Sequence, residues 1–255
     1  MKNIILSLDD GREDFYRVAF PILKKFNLTG TINVVTESIE NPKKYFRPNS
    51  TSNDFMKVEE LQEIEESGIE IACHGRSHKN TVQDILENIE DFQKMGISVR
   101  NIGFASPGSD ITAENVCSIE SLFKERTISY IRSALIPERE GHFKAFLNHL
   151  QEKTHSKVLF YILNKRNYIR EVEYPFFSSV VITKNTTVKQ LKYLFKKMPD
   201  NTSVILLMHS VLKKDDDVYG NDRWYWDAEK FYELCEYISV SENLTCIRNR
   251  DLIIG

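Results

Sequence analysis

The chain has 255 residues, of which 41% are hydrophobic and 28% are charged, enough to bury one sizeable core in a single α/β domain covering residues 1–255. Its formal net charge is −3, with 34 Lys and Arg against 37 Asp and Glu, so no polybasic surface is expected and nucleic acid is not an expected partner. No window approaches the roughly 18 apolar residues that a membrane helix needs, so we predict no transmembrane segment.

The cysteines and the first residues of the chain are typical of a cytoplasmic protein. The first eight residues are apolar for too short a stretch to form a signal peptide, and Asp9 and Asp10 follow them directly. The four cysteines are widely spaced and form no CxxC pair, as expected for reduced thiols: Cys73, Cys117, Cys235 and Cys246. We therefore expect a cytoplasmic location.

Short β-branched runs alternate with amphipathic stretches along most of the chain. The predicted strands cover residues 3–8, 31–36, 69–72, 101–105, 128–131, 180–183, 203–208 and 244–247. The predicted helices cover residues 15–26, 58–67, 81–95, 112–124, 187–198 and 227–240. Such alternation builds a parallel sheet with helices outside it, and periodicity does not distinguish an open sheet from a closed barrel.

The segment 137–174 does not follow this alternation. It is dense in Lys, Arg, Glu and His and contains one apolar run, residues 158–163. We interpret it as an insertion that carries a helix and a strand, because 38 residues are unusually long for a structureless loop.

Two adjacent carboxylates, Asp9 and Asp10, follow the first predicted strand and precede Gly11. The C-terminal ends of parallel strands converge on the ligand site, where one carboxylate can bind a metal and the other can act as a base. A turn or helix cap explains the same residues, since Asp and Gly are common in turns.

Two histidines, His74 and His78, follow the third predicted strand with an i, i+4 spacing. This spacing places both imidazoles on one side of the backbone. Two neutral imidazoles with one carboxylate form a common catalytic zinc set that leaves a position open for water. Exposed or capping histidines would show the same spacing.

Two further strand ends carry candidate residues. His209 ends the most apolar predicted strand, where it can act as a general acid or be a hydrogen-bonded core histidine. Pro107 and Gly108 close the fourth strand, where Gly108 allows the backbone to approach a ligand and its N–H to stabilise an oxyanion. A plain turn explains that pair equally well.

Both tryptophans of the chain, Trp224 and Trp226, follow His209 closely. Aromatic faces stack on the apolar faces of sugar rings. Packing against the helix predicted at 227–240 explains these two residues as well.

The order of these motifs resembles the polysaccharide deacetylase family (carbohydrate esterase 4, NodB-like). The shared order is Asp-Asp-Gly after the first strand, His-x-x-x-His after the third, Pro-Gly after the fourth and a histidine after a late apolar strand. The resemblance covers essentially the whole chain apart from the segment 137–174. It implies a distorted (β/α) barrel that binds one divalent metal.

The resemblance also implies a role for each matched residue. Asp9 matches the family's general base and His209 its catalytic acid. The metal ligands would be Asp10, His74 and His78, and the oxyanion site would include Pro107 and the N–H of Gly108. The expected metal is Zn²⁺, although Co²⁺, Ni²⁺ or Fe²⁺ would suit the same ligands, and the segment 137–174 is expected to form a cap or rim beside the barrel mouth.

Two departures from the family pattern stand out. The family often has an arginine just before the proline of the fourth-strand motif, contacting the base, and this chain has Ala105 and Ser106 there. Arg76 and Arg132 are the candidates to replace it. The family's Asp–Trp motif is not found at a matching place.

The resemblance implies removal of an N-acetyl group from an amino sugar or glycan. Because many relatives act on polymers outside the cell, a lipid-linked or nucleotide-linked sugar would suit a cytoplasmic member. An N-formyl sugar, a cyclic imide or a small N-acyl metabolite would also suit the same site. From a different functional class, a non-catalytic carbohydrate-binding relative would share the fold.

Overall fold

The structure is a computed structural model that describes residues 1–50, 54–109, 111, 113–134, 140–170 and 176–254. Its strands are β1 Lys2–Leu8, β2 Thr31–Val34, β3 Glu70–Cys73, β4 Phe104–Ala105, β5 Ile131–Arg132, β6 Phe176–Phe177, β7 Ser179–Val181, β8 Ser203–Met208, β9 Ser210–Leu212, β10 Tyr225–Asp227 and β11 Leu244–Ile247. Its α-helices are α1 Phe20–Lys25, α2 Thr36–Glu40, α3 Val58–Glu66, α4 Val82–Lys94, α5 Ala113–Lys124, α6 His142–Thr154, α7 Lys157–Asn164, α8 Val188–Lys197, α9 Ala228–Ser239 and α10 Asp251–Ile254. A π-helical turn, Phe15–Ala19, leads into α1.

The parallel strands close into a barrel. Their order is β6-β5-β4-β3-β2-β1-β8-β7, and β11 pairs with the first half of β1. The two edge strands, β6 and β7, are separated in the chain only by Ser178, so one bent strand pairs with β5 at one edge and with β8 at the other. The predicted α/β class and distorted (β/α) barrel are confirmed, and closure follows from this bent strand.

Alternation along the strands separates an outer core from the barrel interior. Along β1, Ile4, Leu6 and Leu8 belong to the large cluster packed under the helices. Ile5 belongs to a second, smaller cluster with Tyr130, Phe177 and Ile205 inside the barrel. Because successive side chains of a strand point to opposite faces, positions in phase with Ile5, such as Asp9, face the interior.

The fifth strand differs from its prediction. It was expected at 128–131, but the strand that pairs with β4 and β6 is Ile131–Arg132. Ile128 packs instead in the outer core. Arg132 is two residues from Tyr130, which lies in the interior cluster, so the shift directs the Arg132 side chain into the barrel.

The segment 137–174 is better described as a crossover than as an insertion. β5 and β6 are parallel neighbours, and parallel strands need a long connection between them. Helices α6 and α7 pack against each other, and α7 packs on α8. Residues 137–139 and 171–174 of the predicted segment lie outside the described residues.

The two helices form an antiparallel hairpin, called here the α6–α7 hairpin (residues 140–170), along the side of the barrel. Its turn reaches the mouth side, where His155 Nδ1 lies 3.1 Å from the Asn185 carbonyl oxygen beyond β7. Its far end, at Ile169, forms an antiparallel bridge with Ser203 at the opposite end of the barrel. The predicted cap is therefore wrong for most of the hairpin and holds only for its turn, and the predicted strand is reduced to this single bridge.

Membrane-spanning helices and disulfides are both absent from the described residues. None of the helices in this part of the chain is both long and apolar enough to cross a bilayer. The four cysteines are free thiols, with Cys73 and Cys235 buried, Cys246 partly buried and Cys117 exposed.

Candidate active site

A cavity of 230 Å³ lies where the strands end at the mouth of the barrel. Six predicted site residues line it: Asp9, Asp10, His78, Gly108, His209 and Trp224. They come from segments that follow β1, β3, β4 and β8 and precede β10, so they are far apart in the chain. The barrel places them together because its parallel strands all end at the same edge.

Asp10, His74 and His78 form an Asp–His–His triad. Asp10 Oδ1 lies 3.3 Å from His74 Nε2 and 3.6 Å from His78 Nε2. One ligand atom from each residue lies within 4.8 Å of the other two. Asp10 and His78 have positive φ angles of 77° and 62°, which non-glycine residues adopt rarely.

The imidazole of His74 is held so that one nitrogen faces the triad. Its Nδ1 lies 2.8 Å from the Ala105 carbonyl oxygen and donates to it, because a carbonyl only accepts. The backbone N–H of His74 donates to Asn88 Oδ1 at 3.0 Å. Metal-binding histidines are commonly oriented in this way by a partner of the second nitrogen, so the donor set fits a divalent ion.

Burial and neighbouring charges act differently on the two imidazoles. Burial opposes protonation of His74, but the nearby carboxylates, first Asp9 and then Asp10, raise its pKa overall. Burial, with the charge of His74, lowers the pKa of His78 to about 4. His78 is therefore neutral at physiological pH, the form in which an imidazole binds a metal.

Asp84 holds the loop that carries His78 in place through hydrogen bonds. Its carboxylate accepts hydrogen bonds from the backbone N–H groups of Ser77 at 3.1 Å and Lys79 at 3.0 Å. Gly75 has a φ of +73°, and a Cβ there would lie 2.5 Å from Asp84 Oδ2. The sequence reasoning missed Asp84, although the spacing of Thr81 and Asp84 is typical of a helix start.

The predicted base Asp9 is buried, with 3% of its surface exposed. Its two hydrogen-bond donors both contact the same carboxylate oxygen. Asn33 Nδ2 donates to Asp9 Oδ1 at 2.9 Å, and Arg132 Nη2 also donates to Asp9 Oδ1. Arg132 is completely buried, whereas Arg76 pairs with Asp91 on the outside of the barrel. Of the two candidate arginines, Arg132 is therefore the one that contacts Asp9.

Arg12 is a site residue that the sequence reasoning missed. Its Nε and Nη2 donate to Asp10 Oδ2 at 2.9 and 2.6 Å, and its Nη1 donates to the Ser210 hydroxyl at 2.9 Å. Burial alone would raise the pKa of Asp10, but Arg12 and the hydrogen bond with His74 keep it well below its usual value. The result is a carboxylate with Oδ2 held by Arg12 and Oδ1 facing the histidines. In the sequence, the signal for Arg12 as a site residue was its position directly after Asp9-Asp10-Gly11.

His209 and Trp224 form the opposite wall of the cavity. The pairing of Tyr225 with Ser210 between β10 and β9 brings the preceding residues, Trp224 and His209, side by side. Their ring centroids lie 5.1 Å apart. His209 Nδ1 is buried without a hydrogen-bond partner among the described residues, and burial lowers the pKa of His209.

Two predicted substrate contacts are not at the cavity. Trp226 is only 1% exposed, and its Nε1 donates to the Thr186 carbonyl at 2.8 Å. The prediction of a sugar-stacking role is therefore wrong for Trp226, which packs in the core, while Trp224 is 36% exposed. Pro107 is buried and its carbonyl accepts from Asn80 Nδ2 at 3.1 Å, so it supports the turn that leaves Gly108 at the cavity with a φ of 60°.

The family resemblance that the motifs indicated is confirmed. The model of the family described as polysaccharide deacetylase matches residues 1–119. This match includes Asp9, Asp10, His74, His78 and Gly108 and ends well before His209. No curated protein matches the chain by sequence.

Solved structures extend the likeness of fold to nearly the whole chain. A family 4 acetyl xylan esterase from Clostridium thermocellum, in complex with a cobalt ion, has a TM-score of 0.52 at 14% identity, over 99% of this chain and 90% of that chain. The Xyl-CE4 domain of a multidomain xylanase from the hindgut metagenome of Trinervitermes trinervoides has a TM-score of 0.52 at 14% identity, over 98% and 89%. The peptidoglycan deacetylase PdaC from Bacillus subtilis has a TM-score of 0.51 at 14% identity, over 98% and 89%.

Proposed function

Because residues 1–119 match the polysaccharide deacetylase family, we propose that the chain is a metal-dependent hydrolase that removes an N-acetyl group from an amino sugar. The observation that carries this proposal is the placement of the Asp–His–His triad, a paired buried carboxylate and a histidine around one cavity. A structural role alone does not require these groups to converge.

The proposed ligands of one divalent ion are Asp10, His74 and His78, and Zn²⁺ suits two imidazoles with one carboxylate. When bound, the ion supplies Lewis acidity, which polarises the acyl carbonyl and lowers the pKa of water. The hydrogen bond from His74 Nδ1 to Ala105 and the pairing of Asp10 with Arg12 keep these donors oriented before the ion binds.

Asp9 accepts the proton of the attacking water. Its Oδ1 is occupied by Asn33 and Arg132, which leaves Oδ2, 3.9 Å from His74 Nε2, to take the proton. Arg132 also offsets the cost of burying the Asp9 carboxylate, since the two opposite charges are in direct contact. A positioned base of this kind typically contributes ~10²–10⁴-fold to the rate.

Gly108 and His209 complete the reaction. The N–H of Gly108 stabilises the charge that develops on the carbonyl oxygen, and loss of such a donor typically costs ~3 kcal/mol of transition-state stabilisation. His209 then donates a proton to the leaving amine as the C–N bond breaks.

Two apolar residues favour acetyl as the acyl group. Val181 and Leu207 line the cavity beside His209 and can contact a methyl group. A hydrophobic pocket distinguishes acetyl from formyl by ~1–3 kcal/mol. We therefore expect kcat/KM for an N-acetyl substrate to exceed that for its N-formyl analogue by about 10- to 200-fold.

The groups around the mouth favour a sugar attached to phosphate. Trp224 offers an aromatic face to a sugar ring, and Arg47 lines the cavity, whereas Arg12 is held by Asp10 and Ser210. Arginine is well suited to bind phosphate oxygens through two parallel hydrogen bonds. This supports a nucleotide-linked or lipid-linked amino sugar over an uncharged polymer.

The test is to incubate the zinc-loaded protein with a matched panel and identify the products. The panel contains free, nucleotide-linked and lipid-linked N-acetyl amino sugars, their N-formyl analogues, small N-acyl metabolites and cyclic imides. Release of acetate with an equal amount of free amine supports the proposal. Formate or a ring-opened product would overturn the assigned substrate, and glycan binding without any product would indicate a carbohydrate-binding protein.

A further inference from the structure

We propose that the α6–α7 hairpin docks the protein on an anionic lipid membrane. The exposed surface that carries this proposal is independent of catalysis. The consequence that the substrate is an amino sugar carried on a membrane lipid rests on the function proposed above.

The hairpin carries an unusual share of the exposed apolar residues. Nine large hydrophobic residues are exposed in the described parts of the chain, and five of them belong to the hairpin: Phe143, Phe146, Leu150, Val158 and Ile162. Phe143 is 72% exposed and Phe146 is 60% exposed. Phe143, Phe146 and Leu150 follow an i, i+3, i+7 spacing, so they form one stripe along α6.

The hairpin is also basic within an acidic protein. Residues 140–170 contain six Lys and Arg against two Glu, whereas the whole chain has a net charge of −3. Both glutamates are already in ion pairs, Glu140 with Lys144 and Arg166, and Glu152 with Arg223. Apolar residues flanked by cations are typical of a helix that lies in a membrane interface.

The positive charge of the hairpin favours an anionic lipid surface over a second copy of the chain as the occupant. A second copy would bring two positively charged hairpins together, which is unfavourable. An anionic lipid surface attracts the same cations, at ~1 kcal/mol for each Lys or Arg near the surface, while the phenylalanines enter the acyl boundary.

The hairpin is physically connected to the catalytic cavity. Glu152 near the end of α6 pairs with Arg223 at 2.8 Å. The Arg223 guanidinium lies 5.4 Å from the Trp224 ring centroid, and the Trp224 ring lies 5.1 Å from that of His209. A protein held by this hairpin therefore has its cavity close to the bilayer.

The experiment is sedimentation of the full chain with vesicles of phosphatidylcholine alone and of phosphatidylcholine mixed with phosphatidylglycerol. We expect binding to the anionic vesicles only, weakening as salt is raised because the charges are screened. Binding to both vesicles with equal strength, or to neither, would overturn the proposal.

Two sets of substitutions sharpen the test. The double variant Phe143→Ser/Phe146→Ser should lose about tenfold or more of the vesicle partition coefficient, because its two most exposed apolar side chains are removed. Lys153→Gln and Lys157→Gln should each lose about fivefold, the equivalent of ~1 kcal/mol per cation. Val240→Ser, at a 74% exposed apolar residue that follows α9, is the matched control and should bind as the parent does.

Activity on a water-soluble N-acetyl amino sugar separates this proposal from the proposed function. The Phe143→Ser/Phe146→Ser variant should keep that activity while losing vesicle binding. Self-association in solution that the same variant abolishes, without vesicle binding by the parent, would overturn membrane docking and show that the surface contacts a second copy. Vesicle binding by a protein with no activity would support the docking surface and contradict the proposed function, and with it the lipid-linked substrate.

Discussion

The two walls of the cavity are built differently. On one wall, called here the base wall, each of three residues is held by a hydrogen bond: Asp9 accepts from Asn33, Asp10 accepts from Arg12, and His74 donates to the Ala105 carbonyl. On the other, called here the acid wall, His209 Nδ1 has no partner among the described residues, and Trp224 is 36% exposed. The family's sequence match, residues 1–119, includes the base wall and excludes the acid wall.

This difference indicates that the two walls have different roles in the reaction. A metal site and its base need fixed positions, because small displacements of such groups cost large factors in rate. The acid wall contacts the leaving amine and the sugar, which differ between substrates. We therefore expect substitutions on the base wall to abolish turnover on every substrate, and those on the acid wall to depend on the substrate used.

The largest effect is expected from Asp9→Asn. The variant should lose ~10²–10⁴-fold in kcat on every amide substrate, because the base that accepts the proton of water is removed. Steady-state kinetics on at least two N-acetyl sugars would measure this loss, with bound metal quantified as the control. Near-full turnover by the variant would remove Asp9 from the mechanism.

Arg132→Met should cost ~3–5 kcal/mol of unfolding free energy, because it leaves Asp9 as a buried carboxylate without its cation. Arg248→Met, which removes an arginine from a partly exposed ion pair with Asp251, is the control and should cost ~1 kcal/mol or less. Denaturant unfolding of both variants would compare them.

The double variant Asp9→Asn/Arg132→Met tests whether these two residues act as a pair. Its loss of unfolding free energy should be smaller than the sum of the two single losses, because both buried charges disappear together. Additive losses would show that Arg132 stabilises the barrel independently of Asp9.

His209→Gln should lose ~10²-fold on an N-acetyl sugar but much less on an activated acetyl ester whose leaving group is an acidic phenol. The phenolate leaves without a proton, so a general acid contributes little to that reaction. Equal losses on the amide and the ester, measured as kcat, would argue against a proton donor. Thermal unfolding should change little, since His209 Nδ1 has no partner among the described residues.

The smallest effect is expected from Trp224→Ala. It should raise KM by about three- to tenfold, the value of one aromatic contact, with little change in stability. Trp226→Ala is its counterpart in the core and should cost ~3–5 kcal/mol of unfolding free energy with KM unchanged. Reversed outcomes for the two tryptophans would contradict the assignment of Trp224 to the substrate.

Much of the base wall was predictable because it lies in short motifs at strand ends. Asp9, Asp10, His74 and His78 were identified from the residues that follow two β-branched runs. The observed boundaries of β8, Ser203–Met208, and β11, Leu244–Ile247, equal the predicted ones, since both runs are apolar and end abruptly.

The partners of these residues were not predictable from spacing. Arg132 reaches Asp9 across 123 positions of sequence, and its strand was predicted to end one residue before it. Asn33 lies inside β2, whose sequence is typical of an ordinary apolar strand. Only the closed barrel shows that the Asn33 side chain points into the interior. Trp226 was indistinguishable from Trp224 in sequence, because only the pairing of β9 with β10 shows which ring is buried.

The measurement that tests the central claim most directly is a metal titration of activity. Protein stripped of metal is supplied with increasing Zn²⁺, and acetate release from an N-acetyl amino sugar is followed. We predict no activity without metal, and a plateau at one equivalent of Zn²⁺ that His78→Ala does not reach under the same conditions. Full acetate release by the stripped protein, or the same plateau in His78→Ala, would contradict a hydrolase whose metal is held by Asp10, His74 and His78.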